Sequence, residues 1–158
     1  MSLYAISLEK CSTAVQKVAI RKVFLEWLPD FEKNGITDEN ECLAYFLKPE
    51  KGQIKTLYVV VYRHLGRECK VVGTVGISTK DFNLHISNLL VLSEWRRRGF
   101  GKRLLRFAED RCKTLGLSTA NLWCADDLVS FYENNGWLKQ DKVQIEKDRW
   151  VQTLVKLF

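Results

Sequence analysis

One passage limits the fold more than any other: an apolar run, then a basic turn broken by glycines, then a helical repeat. Leu89-Leu90-Val91-Leu92 forms the run, and Arg96-Arg97-Arg98-Gly99-Phe100-Gly101-Lys102-Arg103 forms the turn. Leu104, Leu105, Ala108, Cys112 and Leu115 then recur at helical spacing. The order is strand, tight turn, helix N-terminus. The first amides of a helix have no carbonyl partner, and the helix dipole is positive there, so such a junction receives anions. Two glycines allow a phosphate to come close to the backbone. Charge reinforces the point. Arg96 to Arg106 holds six basic residues and no acidic one, and removing those six from the 25 leaves 19 basic against 19 acidic, so the formal charge of +6 is carried by one turn.

The other elements follow from periodicity and punctuation. Tyr4, Ile6 and Leu8 alternate as a strand. Thr13-x-x-Gln16 has the form of a capping box, opening a helix with Val15, Val18, Ala19, Val23, Phe24 and Trp27 on one side and Pro29 beyond its end. A second helix is expected from about Asp38 to Leu47, ending before Pro49. Strands are expected over Thr56–Tyr62, Val71–Thr79 and Leu84–Leu92, with turns at His64–Glu68 and Lys80–Asn83. The helix from Gly99 should end at Gly116. Ala120–Cys124 reads as a short strand, and Asp126 or Asp127 caps a helix through Phe131 and Tyr132 that ends at Asn135-Gly136. Two closing strands are expected, Trp137–Ile145 and Trp150–Phe158. The order β-α-α-β-β-β-α-β-α-β-β implies an α/β chain with a mixed sheet and helices on both faces.

The 158 residues suit a single domain (1–158) with a substantial core. There is no linker, repeat or low-complexity stretch. The longest apolar run, Leu57 to Tyr62, is too short to span a bilayer, and the N-terminus lacks the layout of a secretory signal. Five cysteines, an odd number with no CxxC pair, point to reduced thiols in a cytoplasmic setting and to no zinc site.

The chain resembles the GCN5-related N-acetyltransferase (GNAT) superfamily in two motifs. Arg/Gln-x-x-Gly-x-Gly/Ala after an apolar strand is matched by Arg96-Arg97-Arg98-Gly99-Phe100-Gly101, and Phe-Tyr-Glu-x-x-Gly-aromatic by Phe131 to Trp137. Order and spacing agree as well. Ser93 stands where the family often has Pro, and Ala125 where it often has an Asn that contacts the cofactor.

The resemblance implies acetyl transfer from acetyl-CoA to an amine, directly and without a covalent enzyme intermediate. Amides from Arg98 to Lys102 would hold the pyrophosphate, helped by Arg96, Arg97, Lys102 and Arg103. The backbone of Leu89, Leu90 and Val91 would take the pantetheine arm as a further strand and offer an amide to the developing oxyanion. Tyr132 is the implied general acid. Where many relatives have a Glu as base, this chain has His85, and imidazole chemistry suits that task at neutral pH. His64 is a weaker candidate. Cys124 has no histidine near it in sequence and reads as a structural thiol. Trp27, Asp30, Glu32, Tyr45 and Trp150 are candidates for the acceptor pocket, the Asp30/Glu32 pair as an attractor of cationic amines. The acceptor is expected to be a small-molecule amine, with a peptide amine still open and a homodimer compatible with the family.

Two other classes compete. A nucleic-acid binder needs a basic stripe interleaved with exposed aromatic residues, whereas this charge is compact and Trp27, Trp123 and Trp137 fall in patterned elements expected to be buried. A CoA-binding module without catalysis would bind the cosubstrate and not turn over.

Overall fold

The computed structural model describes residues 2–48, 51–52, 54–63 and 69–158. The expected turn at His64–Glu68, His64 itself and Pro49 lie outside the described residues. In chain order the elements are β1 (Ser2–Ser7), α1 (Thr13–Glu26), α2 (Leu28–Lys33), α3 (Glu39–Leu47), β2 (Lys55–Arg63), β3 (Lys70–Lys80), β4 (Asn83–Val91), α4 (Phe100–Thr114), β5 (Thr119–Cys124), α5 (Val129–Glu133), β6 (Leu138–Glu146) and β7 (Arg149–Leu157). All seven strands join one mixed sheet in the order β1-β2-β3-β4-β5-β7-β6.

Alternation along β2 shows why its sequence is apolar almost throughout. Leu57, Val59 and Val61 pack with Ile20, Val23, Phe24 and Phe31 of α1 and α2. Val60, of opposite parity, packs with Phe100 and Leu104 of α4. A strand covered on both faces has no solvent side and needs no polar alternation. Farther along the sheet, Leu105, Ala108 and Cys112 of α4 meet Val75, Ile77, Leu84 and Ile86 of β3 and β4.

Three local expectations are corrected. Ser12, not Thr13, caps α1: its Oγ accepts from the Val15 amide at 3.4 Å, and the Gln16 side chain donates instead to the Leu8 carbonyl at 2.8 Å. Pro29 does not simply follow α1. It sits in the first turn of the short helix α2, where a missing N–H costs nothing. Within α1, Val18 is turned outward and Ile20 inward. At α3, Asp38 is the cap, accepting from the Glu41 amide at 2.8 Å.

Two irregularities in β4 position the site. The pairing with β3 skips between Thr74 and Gly76, so Asn88 and Leu89 together oppose one residue, and Asn88 has φ 48°. This is a β-bulge, which twists the strand and frees backbone from the ladder. The parallel pairing of β4 with β5 covers only Leu84 with Ala120 and His85 with Asn121. Beyond that second rung the strands part.

Candidate functional site

The parting of β4 and β5 opens a cavity of about 530 Å³ whose walls come from β4, β5, α5, the α1–α3 segment and the β6–β7 hairpin. The end of β4 has backbone on the side away from β3 with no strand beside it. Leu92 donates to the Val72 carbonyl at 2.9 Å, and Val91 opposes Gly73. Amides alternate sides along a strand, so Leu92 and Leu90 address β3 while Val91 and Leu89 address the opening. Leu89 lines the cavity. The Leu90 side chain is buried in the core beneath α1–α3, so Leu90 presents neither backbone nor side chain to the cleft.

At the end of β4 the basic turn folds as a one-turn 3-10 segment (Ser93–Trp95), then Arg96 to Gly99, then α4. Arg96 Nε donates to the Val91 carbonyl at 2.9 Å, clamping the turn to the strand. Arg97 has φ 60° and Gly99 φ 78°. The first bond of α4 runs from the Arg103 amide to the Gly99 carbonyl at 3.3 Å, leaving the amides of Gly99 to Lys102 as the orphan donors of the helix. The space above Gly99 is open, with no atom within 4 Å of where a Cβ would stand. Gly101 is a different case, since a Cβ there would lie 3.4 Å from the Phe131 ring. Phe100 is buried against Trp95 and contributes only its backbone. The guanidinium of Arg98 lies over Trp95, and that of Arg103 over Phe100. No ion pair among the described residues involves Arg96, Arg97, Arg98, Lys102, Arg103 or Arg106. Open space, unpaired amides and unpaired cations fit a pyrophosphate.

Tyr132 lines the cavity from α5 and is otherwise buried. Burial, with a smaller contribution from the neighbouring Cys124, pushes its phenol above the ordinary range. Cys124 is itself raised to about 11 by burial and by the carboxylates of Asp127 and Asp126, which opposes thiolate formation. Tyr132 is held from behind by a network the sequence did not announce. Glu109 of α4, buried, accepts from Trp137 Nε1 and from Lys156 Nζ, each at 2.9 Å. Lys156 also donates to the Asn135 carbonyl at 2.8 Å, and the Trp137 amide donates to the Tyr132 carbonyl at 3.1 Å. A buried carboxylate between two donors ties α4, β7 and the end of α5 into one unit. Spacing gave one signal: Glu109 is the acidic residue on the apolar side of α4, between Ala108 and Cys112.

His85 lies on the last rung before the strands part and lines the cavity. Its Nδ1 is 2.6 Å from Asn121 Oδ1. A carbonyl oxygen only accepts, so Nδ1 carries the hydrogen and Nε2 of the neutral ring keeps its lone pair. Asn121 was not foreseen, because the partners are 36 residues apart in sequence.

Of the acceptor-pocket candidates, Trp27, Asp30 and Tyr45 line the cavity, while Glu32 and Trp150 do not and are exposed. Asp30 is not a free attractor of cations. Both its oxygens are engaged by Arg149, which also lies 3.7 Å from Glu146. Glu146 in turn pairs with Lys33. Trp123 was expected to be buried and is 43% exposed, lining the cavity on a strand with Arg149 over its ring.

Residues 20–137 match the model of the acetyltransferase (GNAT) family, three quarters of the chain and all of the basic turn between β4 and α4. The chain belongs to that family. This acetyltransferase is also similar to glucosamine 6-phosphate N-acetyltransferase of Arabidopsis thaliana, 25% identical over 132 residues that cover 80% of this chain and 88% of that one. Among solved structures it shares its fold with an aminoglycoside 6'-N-acetyltransferase complexed with coenzyme A, at TM-score 0.71, 15% identity and 99% and 97% coverage. It also shares it with IAA acetyltransferase from Bacillus cereus, at TM-score 0.60, 16% identity and 99% coverage of both chains.

Proposed function

We propose that this acetyltransferase moves an acetyl group from acetyl-CoA to the primary amine of a small molecule, by direct attack in a ternary complex. The observation that carries the reading is the conjunction of three features around β4: the orphan amides at Gly99–Lys102 beyond its end, the outward-facing backbone of Leu89 and Val91, and the Tyr132 phenol in the cavity. Acetyl-CoA, when bound, supplies an activated thioester carbonyl. The turn takes its pyrophosphate through the α4 amides and through Arg97, Lys102 and Arg103, while Arg96 holds the turn to β4. Each well-formed charge-assisted bond contributes roughly 1.5–3 kcal/mol, so a few suffice for micromolar affinity. The amides of Val91 and Leu89 bind the extended arm as a strand would, and an amide freed by the bulge stabilises the carbonyl oxygen as it gains charge.

His85 Nε2 accepts a proton from the acceptor's ammonium, exposing the nitrogen lone pair. That lone pair forms the C–N bond as the C–S bond breaks. Tyr132 hydrogen-bonds to the departing sulfur, and the second proton of the attacking nitrogen ends on that sulfur, so the net products are amide, thiol and one proton released through His85. Because burial raises the phenol, it stays protonated over the working range and acts as a donor. A free thiol ionises near 8.5, so full transfer from the phenol is uphill. Its contribution is a hydrogen bond that strengthens as the sulfur gains charge.

The test is a calorimetric titration of acetyl-CoA into the protein at physiological salt, followed by CoA-release assays with amines. Stoichiometric micromolar binding with amine-dependent release supports the reading. Binding without release from any amine would leave a CoA-binding module, and no binding at millimolar ligand would overturn the phosphate-turn assignment.

A further inference from the structure

β3 is shaped to receive the bulge of β4. Its middle, Val71 to Ile77, is buried throughout, and only one side chain there is polar. That residue is Thr74, which is fully buried. Valine has nearly the same shape and would fill the place without burying a hydroxyl, which costs free energy unless the hydroxyl is bonded. Here it is bonded: Thr74 Oγ1 donates to the Asn88 carbonyl at 2.9 Å. Thr74 stands opposite Leu90, so the bond reaches diagonally to a residue that the β3–β4 register skips.

The glycines near Thr74 complete the fit. A Cβ at Gly73 would overlap the Leu90 carbonyl oxygen. A Cβ at Gly76 would lie 2.5 Å from Ser87 Oγ and 3.3 Å from Asn88 Oδ1. Asn88 holds φ 48°, a left-handed state that persists where its surroundings fix it.

One peptide plane links this bond to the cleft. In a trans peptide the C=O and the following N–H point in opposite directions, and no described peptide is cis. Holding the Asn88 carbonyl toward β3 therefore turns the Leu89 amide away from β3, toward the gap between β4 and β5. Alternation counted back from Leu92 gives the same direction. Leu89 lines the cavity at that point.

We propose that Thr74 is a positioning residue for acyl transfer: its hydroxyl holds the Asn88–Leu89 peptide so that the Leu89 amide meets the thioester oxygen. The proposal rests on the acetyl-transfer reading above. Thr74 touches no reacting atom and acts through the backbone of its neighbour strand. Misaiming the amide should cost less than deleting an oxyanion donor outright, for which losses of about 10²–10³-fold in kcat are typical.

Carbon-13 spectra of acetyl-CoA labelled at the thioester carbonyl test this without an acceptor. A hydrogen bond to the carbonyl oxygen draws electron density from the carbon, so binding to the wild-type protein should move the resonance downfield. Thr74→Val should lose most of that shift, while the Kd for acetyl-CoA stays within about threefold because the basic turn is untouched. Thr74→Ser keeps the hydroxyl and should retain the shift. Thr74→Ala differs from the serine variant by one oxygen and should lose it, which decides the matter even if the valine variant does not fold. An unaltered shift in the valine or alanine variant, a serine variant as impaired as the alanine one, or no shift on binding to the wild type would overturn this proposal and leave acetyl transfer standing. Failure of the wild type to bind acetyl-CoA at millimolar ligand would overturn acetyl transfer itself, and this proposal with it.

Discussion

Two glycines bracket α4 in the same backbone state, and this allows strain to be separated from ligand contact. Gly99 has φ 78° at the N-terminus and Gly116 has φ 71° just past the C-terminus, and a Cβ at either position meets no atom within 4 Å. Replacing either by alanine forces an L-residue into the left-handed region, at a cost of about 1–2 kcal/mol. For a chain of this size that lowers Tm by about 2–8 °C. The stability cost should therefore be similar for Gly99→Ala and Gly116→Ala. Their effects on cosubstrate binding should differ. The methyl at position 99 enters the open space faced by the orphan amides, while the methyl at 116 lies at the far end of the helix. Losing even one charge-assisted bond, about 1.5–3 kcal/mol, weakens binding by about 10- to 150-fold. The assay is acetyl-CoA titration by calorimetry on both variants, with thermal unfolding measured without ligand. Equal loss of affinity in the two variants, or none in Gly99→Ala, would refute the idea that the turn at Gly99 holds the phosphates.

Tyr132→Phe should lower kcat about 10²-fold or more with KM for acetyl-CoA little changed; an unchanged kcat in a pre-steady-state assay of the chemical step would place the proton donor elsewhere. His85→Ala should lower kcat/KM by about 10²–10⁴-fold at neutral pH, with partial recovery as rising pH supplies more free amine, and a pH-independent defect would indicate a structural role. Lys156→Met leaves Glu109 buried with the Trp137 indole as its remaining donor. It should cost about 3–5 kcal/mol in urea unfolding, and a cost below about 1 kcal/mol would mean the pair is effectively solvated. Stability should fall with alkaline pH. Burial raises the Cys42 thiol to about 12 and Cys124 to about 11 from an ordinary 9.0. Above pH 9 the unfolded chain therefore loses protons that the folded chain retains, and folding weakens progressively toward pH 11–12. Cys124→Ala should flatten that decline, and an unaltered pH profile of urea midpoints would disprove the linkage.

The sheet and its helices were largely legible because their signals are local. Gly116 and Gly136 end helices where glycine was read as a stop, with φ 71° and 84°. The basic turn between β4 and α4 was legible as a strand–turn–helix junction because its charge, glycines and flanking periodicities lie within about twenty residues. Helix α2 was missed because Pro29 reads as a breaker unless the residue before it is already a helix start. The side of the cavity formed by α1–α3 and the β6–β7 hairpin was the least legible. Asp30 looked like a free carboxylate because its partner, Arg149, lies 119 residues away. Trp123 looked buried because its neighbours Leu122 and Cys124 are, and alternation on a short strand at a diverging edge turns the intervening residue outward. His85 could be proposed from its position, but its tautomer depends on Asn121, which only the pairing of β4 with β5 brings near.

A seven-stranded open sheet ordinarily has two free borders, the outer sides of β1 and β6. This one has four, because β4 and β5 share only two rungs and then each presents a border to the other across a gap in the middle of the sheet. Exposed borders invite pairing with whatever extended chain is at hand, which is a hazard on the outside of a protein. Here the extra pair faces inward, too far apart to rejoin each other and walled by helices and a hairpin against a neighbouring molecule. The sheet thus carries a vacancy shaped for one missing strand, and the partner that completes it need not be a peptide.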